Sequence, residues 1–180
     1  MSHSYNLPNA LAILRILLAP LMLWFFVDRD NVIFASWHPS WFDYFAGLIF
    51  VIASVTDFFD GYIARRWNQM TKIGGILDPL ADKMLVLAGF IGLMVIDRAS
   101  AWAVFLILSR EFFITGIRVV AAQEGKNVAS TFSGKVKTVS QMFAIGFLIM
   151  NWPYANELLW LAVLLTLYSG YEYIRDYFKN

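Results

Sequence analysis

Apolar residues fill this chain in six blocks, at residues 9–27, 42–64, 81–96, 101–122, 137–151 and 154–174. Most approach the roughly 20 residues that an α-helix needs to cross the hydrocarbon core of a bilayer. The third and fifth are short, so tilt, local thinning or helix extension must help them span. Polar punctuation separates the blocks: "DRDN" and "WHPSWFD" after the first, "DRAS" after the third, "NWPYANE" after the fifth. There is no internal repeat, low-complexity tract or heptad run long enough for a coiled coil. The pattern predicts an all-α, polytopic membrane protein of six transmembrane helices, with residues 1–180 forming a single membrane domain.

Lysine and arginine give that bundle an orientation. Arg29 and Arg98 are the only basic residues in the three loops just named. Arg65, Arg66, Lys72 and Lys83 gather between blocks two and three, and Arg118, Lys126, Lys135 and Lys137 between four and five. Arg175 and Lys179 follow block six. Both termini and the two basic connections therefore belong in the cytosol. The opposite loops carry Asp28, Asp30, Asp43, Asp97 and Glu157, and Trp24, Trp37, Trp41, Trp102, Trp152, Tyr154 and Trp160 lie near that boundary as interfacial anchors. The first block carries Arg15, and no small-residue cleavage site follows it before Asp28. It reads as a retained span rather than a cleaved signal.

Composition narrows the chemistry. The chain is 59% hydrophobic and 15% charged, which excludes an ordinary soluble domain. A net charge of +1 gives no ground for a nucleic-acid partner. Without cysteine there is no disulfide framework and no thiolate chemistry. His3 and His38 stand in polar flanks, which argues against a histidine metal site or a Ser-His-Asp triad.

The segment "TDFFDGYIARRWNQMTKIGGILDPLADK", residues 56–83, places four aspartates between apolar blocks. Asp57, Asp60, Gly61, Ala64 and Arg65 recur at i, i+3, i+4, i+7 and i+8, one face of a helix. Asp78 and Asp82 are i, i+4 on the next. Gly74-Gly75 and Pro79 mark the turn, with Asp78 as N-cap and Pro79 as first helical residue. Two antiparallel helices joined there bring the four carboxylates together near the cytosolic surface. Such a cluster needs compensation. Arg65, Arg66, Lys72 and Lys83 can supply it, and so can hard divalent cations, for which all-oxygen coordination suits Mg²⁺ or Mn²⁺. Gly61 and Ala64 leave the helix face bare and Gly74 opens the turn, so a phosphate-bearing ligand can approach, and Arg65 can fork onto a phosphate. The competing explanation is a solvated, salt-bridged turn, and capping alone accounts for Asp78. It accounts less well for Asp57 and Asp60, which follow the apolar run "FAGLIFVIASV".

The pattern Asp57-x2-Asp60-Gly61-x2-Ala64-Arg65-x8-Gly74-x3-Asp78-x3-Asp82 resembles the signature of the CDP-alcohol phosphotransferase family without a departure. Chance agreement at all these positions is on the order of one in ten billion per start point, so coincidence is set aside. The resemblance implies six transmembrane helices, a homodimer and a cytosol-facing site with two divalent ions, Mg²⁺ or Mn²⁺. It implies attack of an acceptor hydroxyl on the phosphorus attached to the lipid alcohol, with CMP leaving. By the same resemblance Asp57, Asp60, Asp78 and Asp82 hold the metals, Asp82 is the candidate general base, and Gly61, Ala64, Arg65 and Gly74 bind the CDP portion.

The rest of the chain bears on the acceptor. The opening "NLPNALAILRILLAP", with Asn6, Pro8, Asn9, Arg15 and Pro20, is similar to that of bacterial family members whose acceptor is glycerol 3-phosphate, although Ala12 stands where that opening usually has Thr. "LDPLADK", "GKVKTVSQM" and the pair Arg110-Glu111 are similar too. This implies transfer of the phosphatidyl group from CDP-diacylglycerol to glycerol 3-phosphate, within the lipid of the bacterial cytoplasmic membrane. Residue chemistry agrees. Arg110 and Glu111 lie inside the fourth block, Arg118 follows two turns on, and Lys135 and Lys137 open the fifth. Such cations can converge on a dianionic phosphate, although the positive-inside rule alone accounts equally well for either lysine. Inositol phosphate, serine or phosphatidylglycerol (as in a cardiolipin synthase) are the alternative acceptors. A divalent-cation transporter is disfavoured, because the acidic residues cluster at one end and blocks one, five and six offer none at depth. Gly116 and Ala121 read as packing residues, and "SGYEY" with Glu172 as an interfacial tail.

Overall fold

The computed structural model describes residues 7–29, 38–66, 74–124 and 132–179; the side chains of residues 7, 8, 57–66, 74–76, 78, 79 and 122 are outside that description. The described residues form six helices and no strand: α1 (Leu7–Val27), α2 (Ser40–Arg66), α3 (Gly74–Val95), α4 (Ala101–Gln123), α5 (Phe132–Ile149) and α6 (Ala155–Lys179). Each apolar block corresponds to one helix. Among the described residues, Asn9–Val27 is long and apolar enough to cross a membrane, and Ser40–Thr56 is a shorter apolar stretch. The chain divides into two compact units, Met1–Ile96 and Asp97–Asn180.

In the first unit α1 packs against both α2 and α3. Its buried face is a stripe of Ala12, Arg15, Ala19, Met22 and Phe26, spaced alternately three and four residues apart, as one side of a helix must be. The alanines let neighbouring backbones approach, the way helices pack where lipid removes any hydrophobic gain from association. α2 answers with Ala46 and Ala53, and α3 with Ala81 and Ala88. A close fit is at Gly92 of α3. The Phe26 ring occupies the place a side chain would take, and a Cβ there would come within 2.2 Å of it. Arg29 and Asp43 join the end of α1 to the start of α2 at 2.5 Å, with the guanidinium beside the rings of Phe26 and Phe42.

α3 begins at Gly74, upstream of the expected cap at Asp78. Pro79 therefore lies inside the helix rather than at its first position.

In the second unit α6 is the shared partner, packing against both α4 and α5. Its buried face starts apolar with Ala155, Leu159, Ala162 and Val163. It continues as Thr166, Ser169, Gly170 and Tyr173 at i, i+3, i+4 and i+7, a polar and small-residue stripe inside the helix pair. α5 presents Lys137 and Gln141 to the interior before turning apolar at Ala144, Ile145 and Leu148. At the far end the Arg98 guanidinium donates to the carbonyl of Ile149 at 2.6 Å, satisfying one of the acceptors that the end of α5 leaves open. Across the outward surface of both units stand large apolar side chains, among them Leu17, Leu48, Phe105, Phe113, Leu164 and Tyr168. That much exposed apolar surface suits lipid rather than water.

Candidate active site

The polar chemistry falls on two stretches, one in each unit. In the first unit, Asp57, Asp60, Gly61, Ala64 and Arg65 lie on the last turns of α2, and Gly74, Asp78 and Asp82 on the first turns of α3. Residues 67–73 join the two helices, and the helices touch. Of these side chains only that of Asp82 is described. It is half-buried, between buried Ala81 and Leu85. The expected gathering of four carboxylates, with Arg65, Arg66 and Lys72, lies outside the described residues. Just before the segment, the Thr56 hydroxyl donates to the Ala53 carbonyl at 2.8 Å, so it makes no demand on the neighbouring carboxylates. By residue chemistry alone, these four aspartates would suit hard divalent ions. The donor set is made only of carboxylates, at i, i+3 on one helix and i, i+4 on the other, and carries no sulfur or imidazole.

The second stretch is better defined. Arg110 and Glu111 sit mid-way along α4, and both side chains are largely buried. Arg110 Nη1 donates to Glu111 Oε1 at 3.3 Å, and Lys137 Nζ of α5 donates to the same oxygen at 2.5 Å. Arg110 Nη2 donates to the Ser169 hydroxyl of α6 at 3.0 Å. Gln141 Nε2 donates to Thr166 Oγ1 at 2.8 Å. Arg110 and Lys137 thus converge on one carboxylate oxygen. Arg110 Nε is buried and meets no acceptor among the described residues. Cations gathered in this way suit an anionic ligand.

Not every cation named from the sequence joins this cluster. Arg118, two turns beyond Arg110, is exposed, with its guanidinium carbon 5.3 Å from the centre of the Tyr173 ring. Lys135 and Lys137 are two residues apart and so roughly 200° apart around α5. Lys137 faces inward, whereas Lys135 is exposed beside Phe132, Val139 and Leu161. The expectation that both lysines point at one phosphate thus meets a geometric obstacle, the odd register of the pair.

Sequence reasoning missed the α6 contribution. Ser169 and Gly170, taken there as part of a tail, lie under Arg110, and Glu172 accepts a hydrogen bond from Ser133 at the start of α5. The signal was available. Thr166, Ser169, Gly170 and Tyr173 repeat at helical spacing within an otherwise apolar run. Further out, the Tyr177 hydroxyl donates to Glu124 at 2.9 Å, and this bond to a carboxylate raises the phenol above its usual value.

Aspartates spaced along two joined helices, in a chain with much exposed apolar surface, agree with a lipid-linked transferase of the CDP-alcohol type. The model of the CDP-alcohol phosphatidyltransferase family matches residues 5–168, and the chain belongs to that family. Among its relatives is a CDP-diacylglycerol–glycerol-3-phosphate 3-phosphatidyltransferase of Bacillus subtilis (strain 168), 39% identical, with 94% of this chain and 93% of the relative aligned. Proteins of the same name from Escherichia coli (strain K12), at 38%, and Rickettsia felis, at 36%, align over 94% of this chain and over 93% and 94% of their own lengths.

Proposed function

We propose that this protein transfers the phosphatidyl group of CDP-diacylglycerol to glycerol 3-phosphate, releasing CMP and phosphatidylglycerophosphate. The observation that carries the acceptor assignment is the largely buried cluster in which Arg110 and Lys137 meet at Glu111. Serine offers no phosphate to such a cluster. Relatives bearing the name of this activity, aligned over 94% of the chain, support the same acceptor.

In the proposed site Asp57, Asp60, Asp78 and Asp82 hold a pair of divalent ions, Mg²⁺ or Mn²⁺. When bound, these ions neutralise the pyrophosphate and the charge that develops on the departing phosphate. Gly61, Ala64 and Gly74 leave room for the CDP moiety, and Arg65 pairs with its phosphate. Arg110 and Lys137 hold the acceptor's phosphate. A bond forms from the acceptor's hydroxyl oxygen to the phosphorus carrying the diacylglycerol. The bond from that phosphorus to the oxygen shared with CMP breaks, and CMP leaves with the electron pair. Asp82 accepts the hydroxyl proton, provided the carboxylate lies within hydrogen-bond reach. The enzyme works as a homodimer of six-span chains in the bacterial cytoplasmic membrane, with both termini and the site facing the cytosol. The exposed apolar surface and the loop charges support that placement.

An acceptor panel tests this. Purified protein with labelled CDP-diacylglycerol should pass label to glycerol 3-phosphate in preference to inositol phosphate, serine or phosphatidylglycerol. Faster transfer to any of those three sinks the assignment.

A further inference from the structure

We propose that Ser169 and Gly170 of α6 are positioning residues for acceptor binding, acting through Arg110. The proposal rests on the reading that Arg110 grips the acceptor's phosphate. An arginine side chain has many rotamers, and a cation that must be ordered at the moment of binding gives back part of its attraction. Here the rotamer is already set from three sides. Glu111 accepts from Nη1, Ser169 accepts from Nη2, and the stem lies against Gly170. A Cβ at position 170 would stand 3.1 Å from both Arg110 Cγ and Nε, so the side chain would have to give way by a few tenths of an ångström. At Gly116 and Gly146 an added Cβ meets nothing within 4 Å, so tight approach is not a general property of glycine in this unit. Glycine inside a helix is less favourable than alanine. At position 170 the absent methyl group makes room for a guanidinium stem.

The geometry leaves the fork usable. Two of its N–H groups are committed to Glu111 and Ser169, and the guanidinium has five in all. Of the remainder, Nε is buried against Gly170, which leaves the other Nη hydrogens for a phosphate oxygen. Moving the stem would turn the fork while leaving its charge in place. The expected effect is therefore on acceptor affinity rather than on folding or on the nucleotide-linked lipid.

Steady-state kinetics of the purified full-length chain test this, using Gly170→Ala and Ser169→Ala. Each should raise KM for glycerol 3-phosphate about tenfold, in line with the cost of small misplacements of a binding group. KM for CDP-diacylglycerol and the thermal midpoint should stay close to those of the unmodified protein. In an Arg110→Lys background, Gly170→Ala should add little, because no guanidinium remains to misplace. If Gly170→Ala fails to fold, Ser169→Ala carries the same comparison. Parallel rises in both KM values, or an undiminished Gly170→Ala effect beside Arg110→Lys, would assign these residues to helix packing and overturn the proposal. If Arg110→Lys alone leaves KM for glycerol 3-phosphate unchanged, the acceptor reading fails first, and the positioning role falls with it.

Discussion

Glu111 balances two cations with one carboxylate oxygen, so it is the residue whose loss should be felt in stability. Glu111→Gln keeps the shape but removes the carboxylate charge that Arg110 and Lys137 share. The expected cost is about 1–3 kcal/mol, seen as a lower thermal midpoint in detergent. Lys135→Ala should not move the midpoint, because that side chain is exposed. An equal loss from both would contradict the picture of a buried charge cluster. Asp78→Asn should behave in the opposite way to Glu111→Gln, abolishing turnover while the protein stays folded and inserted. At this scale the sequence was informative about identity and less so about direction. Arg110 and Glu111 stood out because charge at membrane depth is expensive, whereas Lys137 was as well explained by the positive-inside rule. That Lys135 and Lys137 diverge follows from their odd spacing. That Ser169 and Gly170 seat Arg110 depends on which face of α6 meets α4, and a contact between helices far apart in the chain leaves no local trace.

Helix positions were legible from the apolar blocks, but helix ends were not. α3 reaches back to Gly74 through a segment rich in turn-forming residues, and α5 begins at Phe132 instead of at the lysines. Glycine and proline weaken a helix without forbidding it, and neighbouring elements decide the outcome. Packing between elements gives a sharp expectation in the first unit. Gly92→Ala would drive a methyl group into the Phe26 ring and should destabilise the α1–α3 pair by about 1–3 kcal/mol. Gly146→Ala, where space is open, should be neutral or stabilising. Thermal unfolding of the two variants decides between them. Equal behaviour would mean that α1 and α3 do not interlock as described. Gly116, read from sequence as a packing residue, has open space around it, whereas Ala121 is buried.

For the whole molecule, topology is open to direct measurement because the chain has no cysteine. Single cysteines placed at Ala99 or Trp152 should react with a membrane-impermeant reagent from outside the cell. One at Lys179 should react only after permeabilisation. Labelling of all three from one side would overturn the six-span orientation. The most direct test of the central claim, that the aspartates of α2 and α3 gather divalent ions, is a Mn²⁺ titration of the purified protein with CDP, followed by electron paramagnetic resonance. The account expects a pair of tightly bound ions per chain in the unmodified protein, and their loss in Asp57→Asn and in Asp78→Asn. Unmodified protein that binds none, or an aspartate variant that still binds both, would contradict it.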